Sequence, residues 1–88
     1  MEKITEELRK VKIEDDIDRR ELFGNLDVNL NIIQENTGVD IFQREDALIL
    51  KGDKLDLTES ILTELMSILE AGEKLDTQKV NYVIGLKE

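Results

Sequence analysis

Three of the chain's five glycines fall within one stretch, Phe23 to Asp53, which reads FGNLDVNLNIIQENTGVDIFQREDALILKGD. They limit how it can fold, because each glycine falls where a regular element must stop. Between Gly24 and Gly38, Leu26, Leu30 and Ile33 recur on one helical face. Ile32 widens that face, and Asn29, Asn31, Gln34 and Glu35 take the polar side. Asn25 and Asp27 are cap candidates for this helix, and Gly38 suits the left-handed position just past its end. Between Gly38 and Gly52, Val39 to Arg44 and Ala47 to Lys51 are β-rich and joined by Glu45-Asp46, the pattern of an antiparallel hairpin. Val39, Ile41 and Gln43 share one face; Asp40, Phe42 and Arg44 share the other. Leu48-Ile49-Leu50 is continuously apolar, so its strand is expected to be covered at least in part on both faces.

The flanks supply the rest of a small domain. Residues 1–14 are expected to begin frayed or helical and then to form a short strand near Leu8 to Ile13. Asp15 or Asp16 is the expected cap of a short helix through Ile17, Glu21 and Leu22. Arg19 and Arg20 would lie toward its C-terminal end, and Gly24 would be its left-handed stop. Past Gly52-Asp53, Asp56 and Glu59 stand in the capping-box arrangement. Leu57, Ile61, Leu65, Ile68 and Leu69, with Leu62 beside them, then make the strongest helical stripe in the chain, ended by Ala71-Gly72. Asp76 or Thr77 caps a final short helix carrying Val80, Val83 and Ile84, a candidate docking face unless it packs on the domain's own core. The expected fold class is α/β (α+β): β-α-α-β-β-α, a small sheet packed by helices, plus a short C-terminal helix.

Size and composition bound the function. A chain of 88 residues is one domain, and it buries only about 60–65% of its unfolded surface, leaving no room for a deep pocket. With 3% aromatic content, its core must be aliphatic. A net charge of −9 opposes general affinity for phosphate backbones and for anionic membranes. Cysteine and histidine are both absent, which removes disulfides, the commonest zinc ligands and the usual general base at neutral pH. No apolar run reaches the ~18 residues of a membrane span, and a cytoplasmic location is the default expectation.

No constellation of residues carries a reaction. The carboxylates at Glu6-Glu7, Glu14-Asp15-Asp16-Asp18, Glu45-Asp46 and Asp53 with Asp56 read as solvated turns and helix starts. None has the spacing of an EF-hand loop. Thr58, Ser60, Thr63 and Ser67 have no base to activate them. The Asp-Ser-Leu triplet of acyl carrier proteins is missing. Gly52-Asp53-Lys54 and Gly72-Glu73-Lys74 are not P-loops. The chain is therefore expected to be non-catalytic, with no catalytic, cofactor-binding or metal-binding residue of its own.

The order of elements, with Ile32-Ile33, Thr37-Gly38-Val39-Asp40-Ile41 and Ile49-Leu50-Lys51-Gly52, resembles the middle and end of a KH domain. In that family a Gly-x-x-Gly loop clamps a nucleic-acid backbone through close main-chain approach. The equivalent residues here are Gly24-Asn25-Leu26-Asp27, where aspartate replaces the second glycine and would push phosphate away. Arg19, Arg20, Arg44, Lys51 and Lys54 are the candidate basic edge beside it. With Gly24, Asn25 and Asp27 they form the candidate surface for nucleic acid or a partner.

The wording of the chain is similar to one family in particular. Leu22-Phe23-Gly24, Asn29-Leu30, Thr37-Gly38-Val39-Asp40-Ile41, Leu50-Lys51-Gly52-Asp53 and Val80-Asn81-Tyr82-Val83-Ile84 resemble the N-terminal region of PhoH-like proteins, over about Asp15 to Leu86. That family comprises bacterial cytoplasmic P-loop ATPases related to helicases and linked to phosphate starvation and RNA metabolism. The resemblance implies a single accessory domain over residues 1–88, followed by an ATP-binding domain that uses ATP and magnesium. The end of the chain at an apolar helix fits that expectation. The implied partners are the downstream ATPase domain, RNA or a partner protein, and a second copy in a homo-oligomer; a membrane is not among them. The alternative is a stand-alone acidic protein-interaction domain without nucleic-acid binding.

Overall fold

The computed structural model describes residues 8–88. The expectation of a frayed or helical start lies, for residues 1–7, outside the described residues. The elements run β1 (Leu8–Lys12), α1 (Arg19–Phe23), a single 3-10 turn (Asn25–Asp27), α2 (Val28–Thr37), β2 (Asp40–Gln43), β3 (Ala47–Lys51), α3 (Leu55–Glu70) and α4 (Thr77–Lys87). This is the expected α+β order, β-α-α-β-β-α with one further helix.

The sheet is antiparallel throughout, in the order β1-β3-β2. The β2–β3 hairpin forms as its alternation predicts, closed by the Arg44 N–H donating to the Ala47 carbonyl at 2.9 Å. Strand β1 returns along the other side of β3, pairing Val11 with Leu48 and Arg9 with Leu50, and the Ile13 N–H extends the ladder to the Asp46 carbonyl at 2.8 Å. Placing β3 in the centre explains why its sequence is the most apolar of the three. Leu48 and Leu50 are fully buried and Ile49 is half-buried.

Alternate residues of the three strands, Val11, Ile41, Leu48 and Leu50, face the helices and join one aliphatic core with Leu22, Ile33, Ile61, Leu62 and Leu65. Helix α3 packs on β1 and β3, α2 on β2, and α1 on both helices. Helix α4 packs on α2 and α3. Its Val80, Val83 and Ile84 are buried there, at 0–3% exposure, so the candidate docking face read from these three residues belongs to the domain's own core. A helix with an apolar face covering under half its circumference gains most by burying that face against neighbours.

Several helix ends differ from expectation. Helix α1 is capped by Asp18, not by Asp15 or Asp16: its carboxylate accepts from the Arg20 N–H at 2.9 Å and the Glu21 N–H at 3.4 Å. Ile13 and Ile17 are both buried, which pins the preceding loop to the core and delays the first turn until Asp18. Arg19 and Arg20 therefore open the helix instead of closing it. Gly24 follows α1 with positive φ but extended ψ (84°, 168°), so it stops the helix without being a left-handed cap. Gly38 (75°, 9°) is the left-handed cap of α2, as expected. At α3 no capping box forms. The helix starts at Leu55, and Asp56 and Glu59 turn instead to Arg9 on β1. Asp76 caps α4, accepting from the Lys79 N–H at 2.8 Å.

Candidate binding surfaces

Among the described residues, the α1–α2 connection is the one place where non-glycine residues take positive φ. Gly24, Leu26 and Asp27 all have positive φ, at 84°, 55° and 59°. For a leucine this left-handed region costs roughly 1–2 kcal/mol, whereas aspartate enters it more readily. Gly24 is required by space as well as by φ. A Cβ there would stand 2.8 Å from both Val28 Cγ1 and Asn29 Cγ.

Asn29 accounts for that crowding. It was expected on the polar side of its helix, yet it is buried at 2% exposure. Its amide donates to the carbonyls of Leu22, at 3.2 Å, and Glu21, at 3.4 Å. These are end-of-helix carbonyls of α1 that have no partner within so short a helix. Leu26 was expected on the apolar face of α2, but it points into solvent at 88% exposure. The reason is local: α2 begins only at Val28, so Leu26 sits in the turn and outside the helical rhythm.

Two hydrogen bonds tie this turn to the hairpin. Asp27 accepts from Gln43 Nε2 at 3.2 Å, and Arg19 Nη1 donates to the Arg44 carbonyl at 2.8 Å. The aspartate at the position of the clamp's second glycine thus points its carboxylate toward the end of β2 and makes no capping bond to α2. Arg19, Arg20, Gly24, Asn25 and Asp27 line one shallow depression together with Phe23 and Leu26, and Arg44 adjoins it through the Arg19 bond.

The remaining two candidates lie elsewhere. Lys51 ends β3, opposite Leu8 and Asp40. That is about 13 Å along the strand from the hairpin turn, at ~3.3 Å per residue. Lys54 precedes α3 and lines a different depression with Arg9, Asp53, Asp56 and Lys87. Of the eight residues singled out from sequence, six therefore form one group, while Lys51 and Lys54 each lie apart from it. Arg9 is held there by Asp56, at 3.0 Å, and by Glu59. The hydrogen bonds that Arg9 donates, to Glu59 first and then to Asp56, hold its guanidinium pKa above the ordinary value, and the charged group bridges β1 and α3. Among the described residues no group of three carboxylates is arranged to hold a metal ion. No helix there is long and apolar enough to cross a membrane.

Sequence reasoning missed a second surface, the side of the sheet that faces away from the helices. The register sets Lys10 beside Ile49 beside Phe42 across the three strands, with Leu8, Lys51 and Asp40 in the next row and Lys12 beside Ala47 in the row before. Phe42 is 43% exposed and Leu8 61% exposed. The signal was present in the alternation of Leu8, Lys10 and Lys12 and of Asp40, Phe42 and Arg44. Only the pairing of β1 with β3 brings the two sets onto one surface. The chain matches no protein-family model, no curated protein and no solved structure.

Proposed function

We propose that this chain is a non-catalytic, KH-like accessory domain of a PhoH-like cytoplasmic ATPase. In this reading a P-loop domain downstream in the same polypeptide binds ATP and magnesium and performs the hydrolysis. The present domain supplies a surface for RNA, for a partner protein or for self-association. One observation carries the reading: two short helices joined by a turn of positive-φ residues, set against the end of a hairpin in a β-α-α-β-β-α frame. That is the layout the resemblance calls for, in the stretch that bears its motifs. The absence of a nucleophile–base pair in the sequence supports assigning the chemistry to another domain.

Determining the reading frame beyond Glu88 tests the proposal. It expects a Gly-x-x-x-x-Gly-Lys-Ser/Thr segment downstream; a stop codon directly after Glu88 would overturn it. A stop codon there would favour the second reading, a stand-alone acidic protein-interaction domain, for which the 88% exposure of Leu26 on a strained turn is the supporting feature.

A further inference from the structure

We propose that the open face of the sheet, and not the α1–α2 turn, is where this domain takes single-stranded RNA. The inference rests on the accessory-domain reading for its context and on the sheet register for its content.

The chain as a whole has 12 basic and 21 acidic residues. On the open face the proportion reverses. Lys10 and Lys12 come from β1 and Lys51 from β3; Asp40 is the only acid among the paired strand residues described on this face. These four strand residues carry +2 on a chain whose net charge is −9. A local excess of positive charge on an acidic chain orients the approach of a polyanion toward this face. Glu45 and Asp46 lie in the turn beyond the rim and do not interrupt the rows.

Inside that basic rim is an apolar centre. Phe42 on β2 adjoins Ile49 on β3, and Leu8 lies one row away. Phe42 and Leu8 are two of the five large apolar side chains left exposed among the described residues. An exposed aromatic ring on a sheet, with cations on neighbouring strands, is what an unpaired base and its phosphates require: the ring stacks, and the cations neutralise the backbone. An acidic peptide would use the cations but would gain nothing specific from a flat ring. A duplex hides the faces of its bases. The α1–α2 turn is the weaker site because Asp27 occupies it and its carboxylate is committed to Gln43.

The chain contains no tryptophan, which gives a direct readout. In the Phe42→Trp variant the new indole is the sole tryptophan, and stacking of a base quenches its fluorescence. We expect a uridine-rich single strand of about 20 nucleotides to quench it at low salt. Binding should weaken as salt rises, with a slope of log K against log salt of about −0.7 for each phosphate neutralised. Adding Lys10→Glu and Lys12→Glu to the same variant should lower affinity at least tenfold, and circular dichroism melts should show that these exposed changes leave the fold intact. In the chain without the indole, Phe42→Ala should weaken binding of a labelled strand by roughly tenfold. Absence of quenching at low salt overturns the proposal. Equal quenching by a glutamate homopolymer overturns it in favour of an acidic protein partner. Binding that survives the lysine changes but is lost in Arg19→Glu with Arg20→Glu moves the surface to the turn. That result would overturn this inference and leave the accessory-domain reading standing.

Discussion

Two faces of one three-stranded sheet are built from alternate residues of the same strands, and they follow different rules. The helix-covered face presents Val11, Ile41, Leu48 and Leu50, all at 9% exposure or less, to a core that contains no aromatic residue except Phe23. The other face presents Lys10, Phe42 and Ile49 in its central row. The difference shows why net charge misleads here. A value of −9 describes the average surface, but strand register sorts the charges and sets Lys10, Lys12 and Lys51 on the open face with Asp40 as their one acidic neighbour in the paired rows. Whether a polyanion can bind depends on that sorting more than on the sum.

Substitutions on the two faces should differ in effect. The largest belongs to the covered side. Leu62, fully buried under the sheet, should lose about 2–5 kcal/mol of stability on change to Ala. Phe42→Ala on the open side should lose less than about 1 kcal/mol, since its ring is already partly in water. Urea denaturation of the two variants reads both numbers, and equal losses would mean that the open face is also part of the core. Next is Gly24→Ala. It meets both a positive φ and a Cβ 2.8 Å from Asn29, and should cost about 1–3 kcal/mol by the same measurement.

Asp18→Ala removes the cap of α1 and should cost about 0.5–2 kcal/mol, while Asp15→Ala should stay within ~0.5 kcal/mol. Similar losses from both would show that the acids before α1 act together. The smallest expected effect is a gain. Leu26→Gly relieves a left-handed leucine that buries almost nothing. It should leave stability unchanged or raise it by up to about 1 kcal/mol in a thermal melt. A clear loss would mean that Leu26 has a packing role.

Much of the fold was legible because period and punctuation agreed. The hairpin, α3 and the buried stripe of α4 each follow from apolar spacing bounded by glycine or aspartate. What was not legible depended on choices between chemically equivalent neighbours. Asp15, Asp16 and Asp18 are equally good caps on paper, and the burial of Ile17 selects the last. Asp56 and Glu59 satisfy a capping box by spacing, yet Arg9, some fifty positions earlier, recruits both. Asn29 looked like surface because its partners are main-chain carbonyls, which carry no mark in a sequence. The candidate site was half legible for a related reason. Its local part, from Arg19 to Asp27, assembled as expected, and Arg44 joined it through the Arg19 bond. Lys51 did not, because the length of a strand separates it from the hairpin turn. The basic face needed the β1–β3 pairing, a contact between residues some forty positions apart.

Amide chemical-shift mapping of the 88-residue chain, titrated with a uridine-rich single strand at low salt, locates the RNA-binding face residue by residue. The largest shifts are expected on Lys10, Lys12, Phe42 and Ile49. Shifts confined to Arg19, Arg20 and the Gly24 to Asp27 turn, or no shifts at all, would contradict that expectation.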